Sequence, residues 1–259
     1  MKKLLASVVA TGVILVPAAT VMPAALADGN DTPTVTSASD AQKQLEKVDK
    51  SIAQLQQAQK DEKATLTPDT DYLKELRDLL ETAFELRDSL IAISTGGVPD
   101  FDIATIGPRV QLLTTISTTI HTATTDLTNK VSEAHVEIGF AVTKAVIRLI
   151  NPTSSVQQIE DSIQNLTDTL EKVSQYPDLT PESRATIYVK AKLDKAIGDV
   201  RFKRDKNILG KNADAYFALN RAITKAVGVQ LNPAATVAQT EQAVKDVNAA
   251  YDTAEAAVR

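Results

Sequence analysis

A chain of 259 residues with 43% hydrophobic content is long enough to bury one or two cores. Its formal charge of −5 excludes a general nucleic-acid binder, which would show a basic excess over the whole domain. Having no cysteine, it can use neither disulfides nor thiolate chemistry.

Met1-Lys2-Lys3, an apolar run from Leu4 to Val16 and Ala25-Leu26-Ala27 before Asp28 have the layout of a secretory signal peptide, with cleavage expected after Ala27. The apolar run is too short to span a bilayer, and Pro17 and Pro23 argue against an uncleaved anchor. Removing residues 1–27 removes two lysines and no acid, so the mature charge is −5 − 2 = −7. Beyond Ala27 no run of eighteen apolar residues occurs. The nearest, Ile138 to Ile150, is interrupted by Lys144 and Arg148, so a soluble secreted protein is expected.

Residues 28–39 are polar, contain glycine and proline, and are expected to form a disordered leader. From Asp40, Leu45, Val48, Ile52 and Leu55 follow steps of three and four and predict a first helix. Thr67-Pro68-Asp69 resets the chain. Leu73, Leu76, Leu80, Ala83 and Leu90 then predict a second helix ending at Gly96-Gly97 and Pro99. Ile106, Val110, Leu113, Ile116 and Ile120 predict a third helix, where helical period outweighs the strand preference of the many threonines. A fourth is expected over 129–150 and a fifth over 155–175, with the Gln175 to Thr180 turn as the domain boundary. In Thr180-Pro181-Glu182, an N-cap, a first-turn proline and a first-turn acid predict a sixth helix running to about Leu209. The seventh and eighth cover 212–231 and 236–258. The class is all-α: about five helices in an N-terminal bundle over 40–175 and three in a C-terminal bundle over 176–259.

A repeat runs through the second half at an offset of 81 residues. Ala141, Thr143, Lys144, Ala145, Val146, Asn151 and Pro152 recur as Ala222, Thr224, Lys225, Ala226, Val227, Asn232 and Pro233. Each Asn-Pro ends one helix, and Ser155 to Gln158 and Thr236 to Gln239 open the next with a capping-box pattern. The chain therefore contains two similar helical hairpins, each needing a further helix to cover its apolar seam.

Nothing in the sequence points to an enzyme, a metal or a cofactor. His121 and His135 have no second ligand at metal spacing and are read as partly exposed helix residues. No nucleophile elbow or serine-lysine motif frames a hydroxyl, and Gly96-Gly97 and Gly107-Pro108 are assigned to a helix connection rather than a phosphate loop. The informative segment is the basic sixth helix. At about 100° per residue, Val189, Leu193, Ala196, Ile197 and Val200 gather on one side as its seam. Tyr188 and Phe202 fall on the other among Arg184, Lys195 and Lys206, an arrangement suited to lipid headgroups or a protein partner. The alternative is that this second face packs against the N-terminal bundle.

The segments LTNKVSEAHVEIGFAVTKAVIRLINPTSSV (127–156), YPDLTPESRATIYVKAKLDKAIGDVRFKRDKNIL (176–209) and AITKAVGVQLNP (222–233) resemble the CAMP factor family of secreted bacterial co-haemolysins. The likeness covers roughly the C-terminal three-fifths, in several long blocks in the same order. The first two helices share only length, helical character and position behind a signal peptide. The resemblance implies a pore-forming toxin, and no catalytic residue, that acts at the host cell membrane and lyses red cells strongly after a sphingomyelinase has altered them. It also implies homo-oligomers on membranes, affinity for glycosylphosphatidylinositol (GPI)-anchored proteins and a debated affinity for immunoglobulin Fc. This chain departs from the resemblance at Gly198, on the outer face with Phe202, where a member of the family carries a tryptophan, which leaves Tyr188 and Phe202 to supply the aromatic contact. The alternative function is a secreted helical module that binds a host receptor or immunoglobulin and forms no pore.

Overall fold

The chain folds around eight α-helices: α1 (Ala38–Lys63), α2 (Thr70–Thr95), α3 (Ile103–Thr125), α4 (Ser132–Ile150), α5 (Val156–Ser174), α6 (Ile187–Asn207), α7 (Ala213–Leu231) and α8 (Val237–Ala256). The computed structural model describes residues 34–35, 37–63 and 70–259. The expected signal peptide, most of the expected leader and the Thr67-Pro68-Asp69 reset lie outside the described residues. Among those described no strand forms, only two isolated bridges, and the protein is all-α.

The described residues divide into two units. One holds the chain up to Thr128 together with Glu133–Tyr176; the other holds Asn129–Ser132 and Pro177–Arg259. In the first, α1 packs on α2 and α3, and α3 packs on α5. Ile106, Val110, Leu113 and Ile116 of α3 are fully buried, as their period requires. The threonines of α3 do not break it, because their hydroxyls find partners inside the helix: Thr114 Oγ1 donates to Val110 O and Thr115 Oγ1 to Gln111 O, both at 2.9 Å. α2 ends at Gly96, whose φ of +78° only glycine adopts without strain. Gly97 N donates to Ala92 O at 2.7 Å, closing the Schellman turn that such a residue permits.

In the second unit, α6, α7 and α8 pack on one another around Leu193, Ile197, Leu219, Ile223, Val247 and Tyr251. Tyr251 Oη accepts from Asn207 Nδ2 and donates to Glu255, both at 2.7 Å, so its hydroxyl is satisfied at the edge of this core. Leu219→Ala is expected to lower the stability of this unit by about 3 kcal/mol, the cost of a buried leucine and its residual cavity, read by urea unfolding.

The two hairpins are the same device built twice. Ser155 and Thr236 both form complete capping boxes, with Gln158 and Gln239 closing them. The Asn151 side chain accepts from Thr153 N at 3.0 Å, and Asn232 accepts from Ala234 N at 2.9 Å. The repeat also reaches one helix further upstream than the hairpins. Arg109 of α3 donates to Leu149 O and to Asn151 O, the latter at 2.8 Å, while Lys190 of α6 donates to Gln230 O at 3.1 Å and Asn232 O at 2.6 Å. All three pairs, 109 with 190, 149 with 230 and 151 with 232, are 81 apart. Each cation satisfies carbonyls at the end of the following helix and meets the negative end of its dipole. Burial lowers the pKa of Lys190, with Arg184 adding to the effect, yet the two carbonyls hold the ammonium in place. Lys190→Ala is expected to cost about 1 kcal/mol in urea unfolding.

Several expectations are corrected. Val35 is buried and α1 begins at Ala38, so Ala38 and Ser39 belong to the helix rather than to a leader. Gly107 and Pro108 lie within the first turns of α3, which starts at the Asp102 cap. α4 begins at Ser132 and not at Asn129, because Asn129 O accepts from Leu179 N at 2.7 Å and Val131 N donates to Pro177 O at 3.2 Å, holding this stretch extended. Thr180-Pro181-Glu182 does not start α6. Residues 180–183 close a single turn, with Ser183 N donating to Thr180 O at 3.0 Å; then Arg184 forms a bridge with Thr236 and Ala185 N donates to Ala235 O at 2.8 Å, so the chain runs extended until Thr186 caps the helix. His135 is buried rather than partly exposed.

Candidate functional site

α6 carries seven basic and three acidic residues, and the fold uses some of the cations internally. Lys190 holds the end of α7. Arg204 pairs with Asp205 at 2.7 Å and reaches Asn220, and Lys203 lies 5.4 Å from the Tyr251 ring centre. Lys195, Phe202 and Lys206 are exposed at steps of seven and four on the side away from the Leu193–Val200 seam. Phe202 is 68% exposed, and neither lysine is in an ion pair. An aromatic ring between two free ammonium groups, with Asp199 as the acid on that face, can enter an interface while the cations stay with anionic groups.

The other two expected contact residues are placed differently. Tyr188 is only 7% exposed, so its ring is not presented at the surface. Arg184 is exposed but precedes the helix, and its Nε donates to Pro233 O. The structure therefore brings Lys195, Phe202 and Lys206 together and leaves Tyr188 and Arg184 out of that face. Position on a helical wheel gave no warning about Tyr188, the second residue of α6 after the Thr186 cap.

A second feature lies on the other hairpin. α7 and α8 pack directly, whereas α4 and α5 stand further apart, and side chains of both line a groove of about 510 Å³. Ala141 and Ala145 lie in it beside Lys144, Arg148 and Asp161. One turn before Ala141, Glu137 accepts from Lys172 Nζ and Tyr176 Oη, each at 2.6 Å. The hydrogen bond from Lys172, followed by that from Tyr176, holds the Glu137 carboxyl below the usual carboxylate range. A carboxyl whose pKa is depressed on folding contributes stability above its unfolded value, and this contribution is lost as pH falls through the folded value. Protection factors of amides at the C-terminal end of α5, that is exchange rates corrected for the intrinsic pH dependence, should therefore fall as pH drops through the acid range, and Glu137→Gln should flatten that dependence. Among the described residues no His, Cys, Asp or Glu group could hold a metal ion.

The architecture defines an all-α protein of repeated helical hairpins with a basic, aromatic-bearing helix face. A sequence profile of the CAMP factor (Cfa) family matches residues 33–255, and the chain belongs to that family. It is 41% identical over 221 residues to Protein B of Streptococcus agalactiae, covering 85% of this chain and 94% of that protein. It is also similar to the solved CAMP factor of Mobiluncus curtisii, with a TM-score of 0.66 and 38% identity over 85% of this chain and 98% of that one. The crystal structure of GBS CAMP factor gives a TM-score of 0.58 and 41% identity over 83% and 97%.

Proposed function

We propose that this protein is a secreted co-haemolysin that permeabilises host cell membranes, acting together with a sphingomyelinase. The observation that carries the reading is membership of the CAMP factor family across residues 33–255. The exposed Phe202 between Lys195 and Lys206 supports a membrane role for α6. No helix among the described residues is long and apolar enough to cross a membrane. Permeabilisation then requires the amphipathic helices to leave their bundle and turn their seams to lipid or to a neighbouring protomer, since a bilayer core tolerates no unsatisfied backbone. Contact through α6 comes first and opening of the hairpins follows.

Dye release from protein-free vesicles of phosphatidylcholine, sphingomyelin and phosphatidylglycerol tests this. The protein is expected to release dye. Phe202→Ala should weaken release by about tenfold, the value of one partly inserted aromatic ring, and Lys195→Glu should act in the same direction. A protein that binds cells and leaves protein-free vesicles intact is instead a receptor- or immunoglobulin-binding module.

A further inference from the structure

α4 is apolar on two opposite sides. Its inner side, including Ile138, Val142, Ala145 and Leu149, is buried. Its outer side carries Val136, Phe140, Ile147 and Ile150, which are 37%, 49%, 61% and 39% exposed. Steps of four, seven and three keep these four on one line, about 21 Å long at 1.5 Å per residue. A helix that is apolar all round belongs in a protein interior or a membrane, and a contiguous exposed line of large apolar residues marks an interaction surface. The equivalent positions of α7 are Phe217, Arg221, Gly228 and Leu231, where the line is broken twice, so this surface is particular to the first hairpin.

The charges beside the line indicate what it meets. Lys144 and Arg148 lie one turn apart on its flank and line the groove next to α5, and neither is in an ion pair. Glu137 on the same flank is paired with Lys172 at 2.6 Å, Asp161 of α5 is the acid lining the groove and accepts from Gln157, and exposed Glu133 lies about three turns before Lys144. Lys144 and Arg148 against Asp161 leave the groove mouth with a positive excess, open to an anion. A second copy of the chain fits poorly: the line from 136 to 150 is centred at 143, so a two-fold contact through it would set Lys144 of one copy against the same lysine of the other.

We propose that the outer face of α4, with the groove beside it, docks on an anionic phospholipid surface. Phe140 and Ile147 enter the acyl boundary, and Lys144 and Arg148 hold lipid phosphates at the groove mouth. This rests on the membrane role proposed above and adds a second contact to that of α6.

Flotation with vesicles tests it. On phosphatidylcholine vesicles containing phosphatidylglycerol, Lys144→Gln with Arg148→Gln should weaken binding by about 30-fold, the worth of two cations at an anionic surface, and should change nothing on pure phosphatidylcholine. Phe140→Ser with Ile147→Ser should weaken binding by about 100-fold on both. All four residues lie outside the core, and circular dichroism verifies that the variants keep their helices. Wild-type flotation by either double variant overturns the inference, as does failure of the unmodified protein to float. Altered sedimentation of F140S/I147S with unchanged flotation would reassign the face to a second copy. If the α4 variants float normally while Phe202→Ala loses dye release, this inference falls and the proposed function stands. An unmodified protein that lyses no sphingomyelinase-treated cells refutes that function itself.

Discussion

Replacing Arg109 with leucine is expected to lower the stability of the first unit by about 3 kcal/mol. The guanidinium is completely buried, donates to Thr105 Oγ1 at 3.2 Å and to the carbonyls of Leu149 and Asn151, and lies 4.8 Å from the Phe101 ring centre. Burial lowers its pKa, and nearby Asp102 opposes the shift. The charge survives because it satisfies Leu149 O and shares Asn151 O with Ser154 N at the end of α4. Leucine fills part of the volume, leaves Leu149 O without its donor at about 1–3 kcal/mol, and removes the charged bond to Asn151 O, which keeps Ser154 N; the loss is partly offset because no charge need be desolvated. Arg109→Lys should recover part of the loss, since one ammonium can still reach a carbonyl, as Lys190 does in the second unit. Urea unfolding followed by circular dichroism should show an early transition for the first unit with the second unit unchanged. An unchanged curve for Arg109→Leu would mean that the staple does not hold α4.

Locking α7 to α8 with an engineered disulfide is expected to leave vesicle binding intact and to suppress dye release about 100-fold, with recovery on reduction. The chain has no native cysteine, so an introduced pair has no competing partner. α7 and α8 share the buried seam of Leu219, Ile223, Val247 and Tyr251, the surface that must turn outward if the hairpin opens. A cross-link closing a loop of about 20 residues contributes roughly 3 kcal/mol against separation, hence the hundredfold. Full release from the oxidised protein would show that the second hairpin stays closed during permeabilisation.

Much of this architecture was legible because the local signals agree with one another. The periodic leucines and isoleucines, the glycines ending α2 and the paired capping boxes after Asn151-Pro152 and Asn232-Pro233 all act within a few residues. Long-range pairing was not legible. Thr180-Pro181-Glu182 has the chemistry of a helix start, yet the bonds from residues 184 and 185 to the loop before α8 hold the backbone extended, and nothing near Pro181 announces a partner 50 residues away. The third helix of the repeat was hidden by substitution. Thr105, Ile106, Arg109, Leu112 and Ile116 do align with Thr186, Ile187, Lys190, Leu193 and Ile197, but threonines crowd the first set and lysines the second. The offset of 81 already visible in the hairpins, carried one helix upstream, was the signal that finds it. Of the expected contact residues, Lys195, Phe202 and Lys206 are exposed on the side of α6 where the helical wheel places them. Tyr188 falls on the same side of the wheel and is buried. The outer line on α4 was present in the sequence as an apolar run, but only the structure shows which half of that run faces out.

The most direct measurement is lysis of sheep red cells by the purified protein, with and without sphingomyelinase pretreatment. The account predicts strong lysis after pretreatment, little without it, and a large loss in Phe202→Ala under both conditions. Absence of lysis in either condition, from a protein shown to be folded and helical, would contradict it and leave a helical binding module in its place.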